Sequence, residues 1–225
     1  AKAVGYKVKR IVTISEQDIT PGADGYWPDD LTGVDTDAAL MFTSGSPADP
    51  KAVRVTPANL QANTESIIEY LHLTRADRML VVLPFFYCFG ASLLHTHLRA
   101  GGSVVLCNSF AFPETAVAAM SEHACTGLAG VPSTFAILLR RSTFGQRPLP
   151  GLRLIQQAGG HLANPLIEQL VHCQPQAEIF VMYGQTEATA RLSYLPPDRL
   201  HDKLGSIGRG IPGVELQVRG PDGSP

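Results

Sequence analysis

Two short segments of the chain carry side chains suited to binding phosphate and a divalent cation. The first is a loop of small residues that ends in a cation, and it contains Thr43, Ser44, Gly45, Ser46 and Lys51. Hydroxyls and backbone amides donate hydrogen bonds to phosphate oxygens, and an ammonium group neutralises their charge. A solvated Ser/Pro turn would have the same composition. The loop is not a P-loop, because Pro50 stands where that motif requires glycine.

The second segment follows a predicted buried strand and consists of Tyr183, Gly184, Gln185, Thr186 and Glu187. The flat ring of Tyr183 can stack on a nucleotide base, and the Thr186 hydroxyl can donate to a phosphate oxygen. The carboxylate of Glu187 offers the hard oxygen ligand that Mg²⁺ prefers. The alternative is an ordinary strand-end turn with an exposed glutamate.

The elements that must position these segments alternate between strand and helix. Apolar runs predict strands over residues 9–15, 37–42, 79–83, 104–107, 127–131, 152–156 and 179–183, the second of them buried. Helical patterns begin at residue 56 and cover residues 92–99, 113–123, 132–141 and 164–171, and residues 214–218 suggest an antiparallel edge. This order predicts an α/β fold with mainly parallel sheets covered by helices. Both segments then follow strands, at the edge where ligands bind in such sheets.

Composition excludes several classes of protein. The 225 residues amount to about one and a half average domains, and 44% of them are hydrophobic, which is enough for a sizeable core. A net charge of −2 offers no basic excess for nucleic acid. Four cysteines without a CxxC pair argue against a disulfide framework or structural zinc and favour reduced thiols in the cytoplasm. The longest apolar run, residues 79–94, is interrupted and too short to span a membrane.

The two segments, with others between and after them, resemble the adenylate-forming (AMP-binding) superfamily, and acyl-CoA synthetases and fatty acyl-AMP ligases in particular. Residues 183–187 match the family's tyrosine–glycine–x–threonine–glutamate motif. Residues 83–90 resemble its aromatic segment beside the acyl site, and residues 159–161 resemble the glycine pair that lines its adenine pocket. Residues 205–213 resemble the stretch that follows the tyrosine motif. The resemblance covers about residues 37–213.

The resemblance implies an ATP- and Mg²⁺-dependent ligase that converts a carboxylic acid to an acyl-adenylate and then to a thioester. The acceptor would be CoA or the phosphopantetheine of a carrier protein. Roles carried over by matching position fall into four groups. Thr43, Ser44, Gly45, Ser46 and Lys51 would hold the β- and γ-phosphates. Gly159, Gly160, His161, Tyr183, Gly184 and Gln185 would surround the adenosine. Thr186 would contact the α-phosphate and Glu187 would bind Mg²⁺. Phe86, Tyr87 and Gly90 would face the acid.

The chain also departs from the family pattern. Pro47, Ala48 and Ala52 replace a threonine and two glycines of the phosphate loop, and Pro47 removes both a backbone donor and a hydroxyl. We therefore expect weakened phosphate binding. No Asp or Glu lies within residues 84–99, where amino-acid-activating relatives carry an aspartate for the substrate ammonium. A fatty, acyl or aryl acid is therefore favoured.

The resemblance divides the chain into an opening strand and loop (residues 1–36), a nucleotide- and acyl-binding core (residues 37–204) and the start of a β subdomain (residues 205–225). We expect these residues to form part of an N-terminal AMP-binding domain truncated at both ends, with the lysine-bearing C-terminal domain absent. The alternative is a degenerate, non-catalytic relative that keeps the fold and some affinity for a nucleotide or acid.

Overall fold

The computed structural model describes residues 37–43, 51–107 and 110–224. The strand predicted over residues 9–15 and the phosphate-loop residues Ser44, Gly45 and Ser46 lie outside the described residues. The described part combines a large sheet, a separate two-stranded ribbon and five α-helices.

The large sheet has seven strands, of which the first five run parallel. They are β3 (Arg78–Val81), β4 (Ser103–Leu106), β5 (Gly127–Gly130), β6 (Leu154–Gln157) and β7 (Glu178–Tyr183), followed by the antiparallel β8 (Ser193–Leu195) and β9 (Arg209–Gly210). Their spatial order is β4-β3-β5-β6-β7-β8-β9. The predicted α/β class with a mainly parallel sheet is confirmed.

Five helices cover the sheet: α1 (Pro57–Leu71), α2 (Cys88–Arg99), α3 (Pro113–Glu122), α4 (Pro132–Arg141) and α5 (Asn164–Cys173). The predicted start of α1 is confirmed, because the Thr56 hydroxyl accepts from the Asn59 amide at 3.2 Å and Pro57 occupies the first turn. Helix α2 begins four residues before the predicted Ser92.

Strand alternation sends side chains into two apolar layers, one on each face of the sheet. Leu80, Leu128 and Ile155 face the layer made with α3, α4 and α5. The layer made with α1 and α2 contains Met79, Ala129, Leu154, Phe180 and Met182 from the strands, and Ile67, Tyr70 and Leu93 from the helices. Since successive residues of a strand point to opposite faces, position parity assigns each side chain to a layer.

Two sequence predictions were wrong. The apolar run at residues 37–42 is not a buried strand: β1 (Ala39–Thr43) pairs antiparallel with β2 (Lys51–Val55) in the ribbon, and Phe42 is 64% exposed. Among the described residues no third strand pairs with this ribbon, so its exposed positions such as Phe42 are not covered by a sheet. Residues 214–218 form no strand: after the turn at Pro212 and Gly213, whose φ is +81°, they are mostly exposed and pair with no strand among the described residues.

Candidate active site

Three chain segments meet at the carboxyl edge of the large sheet, as the parallel topology requires. One leads from β3 into α2, one follows β6, and one follows β7. A direct contact joins the first and the third, since the Thr186 hydroxyl donates to the Cys88 sulfur at 3.6 Å. The topology therefore gathers the predicted acid-binding segment, the glycine pair and the tyrosine motif in one place.

The tyrosine motif is a tight connection between β7 and β8. The Leu192 amide donates to the Tyr183 carbonyl at 2.9 Å, which closes the loop, and residues 186–188 form one 3₁₀ turn. A Cβ atom on Gly184 would lie 1.8 Å from the Ala190 carbonyl oxygen, so only glycine fits. Thr189 adopts a φ of +70°, which is uncommon for a β-branched residue. The loop thus has one backbone path, and it fixes where its side chains emerge.

The side chains of this loop differ in exposure. Tyr183 presents its ring at the strand end and is partly exposed, and the side chain of Gln185 is exposed beside it. The exposed carboxylate of Glu187 lines a groove of about 340 Å³ that also contains Asn59, Ser66 and Pro212. Among the described residues no cation forms an ion pair with Glu187, so its carboxylate is available to a ligand there.

The glycine pair after β6 lies beside the amino end of α4. Gly159 has a φ of +79°, and a Cβ atom there would lie 2.9 Å from the Val131 side chain. The Gln157 amide donates to the Gly160 carbonyl at 2.8 Å and holds the turn. His161 follows with an exposed side chain. Because β6 and β7 are neighbours, this turn and Tyr183 lie at the same sheet edge.

The aromatic segment before α2 places its rings in two directions. Phe86 and Tyr87 are 69% and 57% exposed, with ring centroids 4.5 Å apart, whereas Phe85 and Phe89 pack against the buried layer under α2. Gly90 has a packing role, since a Cβ atom there would lie 2.2 Å from the Pro84 carbonyl oxygen. The predicted pair Phe86 and Tyr87 therefore lies at the surface, whereas Phe85 and Phe89 are the aromatics that point inward.

The ribbon brings the described ends of the phosphate loop together. Thr43 ends β1 and Lys51 begins β2, as register partners, and the Thr43 hydroxyl donates to the Lys51 carbonyl at 3.4 Å. Ala39 and Met41 of β1 share a small cavity with Cys88 and Thr189. The ribbon thus lies against the segments that carry Thr186 and the start of α2.

Sequence reasoning missed the most unusual residue near the site, Arg191. Its side chain is fully buried and its guanidinium lies 4.8 Å from the centre of the Phe89 ring. Asn63 of α1 fixes the Arg191 backbone from both sides, because its amide donates to the carbonyl at 2.9 Å and its oxygen accepts from the amide at 3.3 Å. A cation inside the run of small and apolar residues 188–195 was the available sequence signal.

No hydrogen-bond acceptor among the described residues meets the three guanidinium nitrogens of Arg191. The nearby hydroxyl of Tyr70 donates instead to the Met182 sulfur at 3.0 Å. Burial raises the pKa of Tyr70 to about 12, although the adjacent guanidinium counteracts part of that rise. Burial likewise lowers the pKa of Arg191. The layer under α2 therefore contains a cation next to a neutral phenol and no carboxylate that the structure describes.

Comparison with known proteins identifies this arrangement. The family model described as AMP-binding enzyme matches residues 7–225. The 2-succinylbenzoate–CoA ligase of Bacillus velezensis is 33% identical over 88% of the chain and 39% of its own length. The sulfoacetate–CoA ligase of Cupriavidus necator is 34% identical over 85% of the chain and 37% of its own length. The chain thus spans about two fifths of these relatives.

Solved structures agree. The O-succinylbenzoate coenzyme A synthetase of Bacillus subtilis, in complex with ATP and magnesium ion, matches 84% of the chain and 38% of its own length, with a TM-score of 0.75 and 30% identity. Within the residues that the structure describes, no helix is long and apolar enough to cross a membrane. The resemblance to adenylate-forming enzymes is confirmed: the chain belongs to the AMP-binding enzyme family.

Proposed function

We propose that this chain forms the nucleotide- and acid-binding part of an ATP-dependent acid–thiol ligase, with CoA as the thiol acceptor. The observation that carries the proposal is the contact between Thr186 and Cys88. It places the motif expected to contact the α-phosphate against the first turn of the helix that follows the expected acid-binding segment. A carboxylate and a phosphate could therefore be held side by side.

The chain's residues fit the nucleotide. Gly159 and Gly184 fix the two turns, since a Cβ atom at either position would collide with Val131 or Ala190, and Tyr183 offers a partly exposed ring for stacking at the same sheet edge. Together with Gly160, His161 and Gln185 these residues would surround the adenosine. The weak acceptor that Thr186 now uses, a cysteine sulfur, can be exchanged for a phosphate oxygen at little cost. Glu187 supplies the oxygen donor for Mg²⁺, while Thr43 and Lys51, with Ser44, Gly45 and Ser46, would hold the outer phosphates.

MgATP, when bound, supplies the phosphorus centre at which the substrate carboxylate oxygen forms a bond while the bond to pyrophosphate breaks. A thiol then forms the thioester as AMP leaves. The chain contributes by positioning these groups and by neutralising charge at phosphorus. Thr186 would orient the α-phosphate, Glu187 would hold the Mg²⁺, and the segment 85–90 would orient the acid.

The acid is an acyl or aryl carboxylic acid and not an amino acid. Residues 84–99 contain no carboxylate that could pair with a substrate ammonium. The buried cation Arg191 next to Phe89 would in addition repel an ammonium group. The relatives named above act on acids without an amino group, which agrees with this assignment.

Acid-dependent exchange of pyrophosphate into ATP tests the proposal, measured on the polypeptide encoded by the complete reading frame. We expect exchange with at least one carboxylic acid, and Glu187→Gln should lower its rate on the order of a hundredfold because the metal loses its carboxylate ligand. Glu178→Gln, at the opposite end of β7, is the matched control and should leave the rate unchanged. AMP binding without exchange for any acid would contradict the proposal and indicate a binding module.

A further inference from the structure

The strongest anomaly in the described part of the chain is the buried cation Arg191. Its side chain is 2% exposed, and its Nε, Nη1 and Nη2 atoms have no hydrogen bond of normal geometry among the described residues; the neighbouring Tyr70 hydroxyl, which interacts with the guanidinium, is neutral and supplies no counter-charge. Arg99 and Arg153, by contrast, pair with Glu65 and Asp77 at guanidinium–carboxylate distances of 2.7 Å. A buried guanidinium without such a partner strongly destabilises a fold, since its charge has lost water and gained no counter-charge.

The surroundings of Arg191 are built and rigid. Asn63 holds its backbone by two hydrogen bonds, and the guanidinium carbon lies over the Phe89 ring, 4.8 Å from its centre. A guanidinium presents its N–H donors in its own plane, and these donors have no oxyanion acceptor among the described residues. The missing partner is therefore an anionic group that approaches in that plane.

A second buried polar group in the same layer also lacks a partner. Gln156 of β6 is fully buried, and neither its amide oxygen nor its amide nitrogen is hydrogen-bonded among the described residues. It shares strand parity with Leu154 and is the register partner of Phe180, so it points into the layer under α2. Two unsatisfied polar side chains therefore face the layer that also receives Phe85 and Phe89.

The anionic group that would pair with Arg191 differs from the carboxylate and phosphate expected at Thr186. Cys88 contacts Thr186, whereas the next residue, Phe89, contacts Arg191. Consecutive residues of an α-helix point about 100° apart, so these two contacts mark separate places on α2. The reacting carboxylate belongs beside Thr186 and the α-phosphate, which leaves Arg191 for another oxyanion.

We infer that Arg191 is a specificity-determining residue that binds a second acidic group on the acid substrate. The substrate class is then an acid with two acidic groups, such as a dicarboxylic acid, in preference to the monocarboxylic acid of the same skeleton. The inference rests on the proposed function and adds to it, because the apolar segment 85–94 by itself would favour a plain hydrocarbon chain.

Matched acid pairs test the inference on the complete polypeptide: butyrate with succinate, hexanoate with adipate, and benzoate with phthalate. We expect kcat/KM for exchange to favour the diacid of at least one pair by about tenfold or more, as a charge-assisted hydrogen bond allows. Arg191→Met should remove this preference, and Arg191→Lys should keep part of it. Arg99→Met, which removes a paired surface arginine, should leave the preference unchanged.

Thermal unfolding gives a readout that does not need turnover. Without acid, Arg191→Met should raise Tm, because it removes an uncompensated buried charge, whereas Arg99→Met should not. Diacids should raise the Tm of the wild type and not that of Arg191→Met. A lowered Tm for Arg191→Met without acid would overturn the inference, because it would show that the protein itself supplies the anion.

The two proposals fail in different ways. If no acid supports exchange but diacids still raise the wild-type Tm through Arg191, the proposed function fails and the inference stands. If monoacids and diacids support equal exchange in the wild type, the proposed function stands and the inference is overturned. The wild-type preference also decides the matter if Arg191→Met does not fold.

Discussion

The two edges of the parallel sheet each contain a buried charge. One charge has hydrogen-bond donors and a counter-charge around it, and the other has neither a carboxylate nor a hydrogen bond of normal geometry among the described residues. At the amino edge Asp77 accepts from the Thr74 amide at 2.8 Å, the Thr126 hydroxyl at 3.0 Å and Arg153 Nε at 2.7 Å. At the carboxyl edge the guanidinium of Arg191 has no carboxylate and no hydrogen bond of normal geometry among the described residues. The first charge is fully satisfied by the fold, and the second is not.

The difference follows from what each edge does. Asp77, Thr126 and Arg153 immediately precede β3, β5 and β6, so this one carboxylate ties together the starts of three neighbouring strands. Burial would raise the pKa of Asp77, but the hydrogen bonds from Arg153 and the Thr74 amide outweigh it and lower the pKa to about 2. The Asp77 carboxylate at the amino edge therefore has a structural role, because it connects the starts of these strands (a structural joint). The carboxyl edge keeps unpaired groups that a ligand can use.

The largest expected effect on stability comes from removing the Asp77 carboxylate, the charge that the fold surrounds with hydrogen-bond donors. Asp77→Ala should lower the free energy of unfolding by about 3 kcal/mol, because it leaves Arg153 and the Thr74 amide without their acceptor. Chemical denaturation measures this loss. Asp202→Ala removes an exposed ion pair with Arg199 and should change stability by less than about 1 kcal/mol. Equal effects of the two variants would refute the assignment of Asp77 as a joint.

A smaller effect on stability is expected from removing the hydrogen bonds that hold the main chain of Arg191. Asn63→Ala removes both hydrogen bonds to the Arg191 main chain and should lower the free energy of unfolding by about 1–2 kcal/mol. Hydrogen exchange should also accelerate at the Arg191 amide.

The exposed residue Glu69 on the same helix provides a control, and Glu69→Ala should leave that amide protected. Unchanged exchange at the Arg191 amide in Asn63→Ala would show that the motif loop holds its path without α1.

The smallest effect is a shift in the titration of His97, which senses both charges. Burial is the largest influence and lowers the pKa of His97. The hydrogen bond between its Nδ1 atom and the Leu93 carbonyl, at 2.8 Å, raises the pKa. Of the two charges at the sheet edges, Asp77 raises the pKa and Arg191 lowers it. Arg191→Met should therefore raise the His97 pKa, and Asp77→Ala should lower it, by nuclear magnetic resonance. If both variants shifted the His97 pKa in the same direction, the two charges would not act on this side chain with opposite signs, and the prediction would be wrong.

The same residue gives the direction of a pH effect. Because the folded-state pKa of His97 lies below its value in the unfolded chain, its contribution to stability is complete above about pH 6.5 and is lost as the pH falls. The slope cannot exceed about 1.4 kcal/mol per pH unit for this one proton. In Arg191→Met the loss of stability at low pH should be smaller, since the folded-state pKa of His97 is then closer to its value in the unfolded chain.

Much of the nucleotide side of the site could be predicted from the sequence. Tyr183, Thr186 and Glu187 are adjacent in the chain, and Gly184 is required by a local approach of the backbone to Ala190. Residues this close in the chain are brought together by local backbone geometry, so they can be found from the sequence. The roles assigned to these residues remain predictions. The same local reasoning failed for residues 37–42, because burial depends on which partners cover a strand.

The sequence by itself determined the alternation of strands and helices, the α/β class and the tyrosine motif, because all three depend on short-range periodicity and spacing. Only the tertiary structure decided that Phe89 points inward while Phe86 and Tyr87 do not, and that Arg191 is buried beneath α2 without a counter-charge. Burial and pairing arise from contacts such as Asn63 with Arg191, which are 128 positions apart. No periodicity in the sequence encodes a contact at that separation.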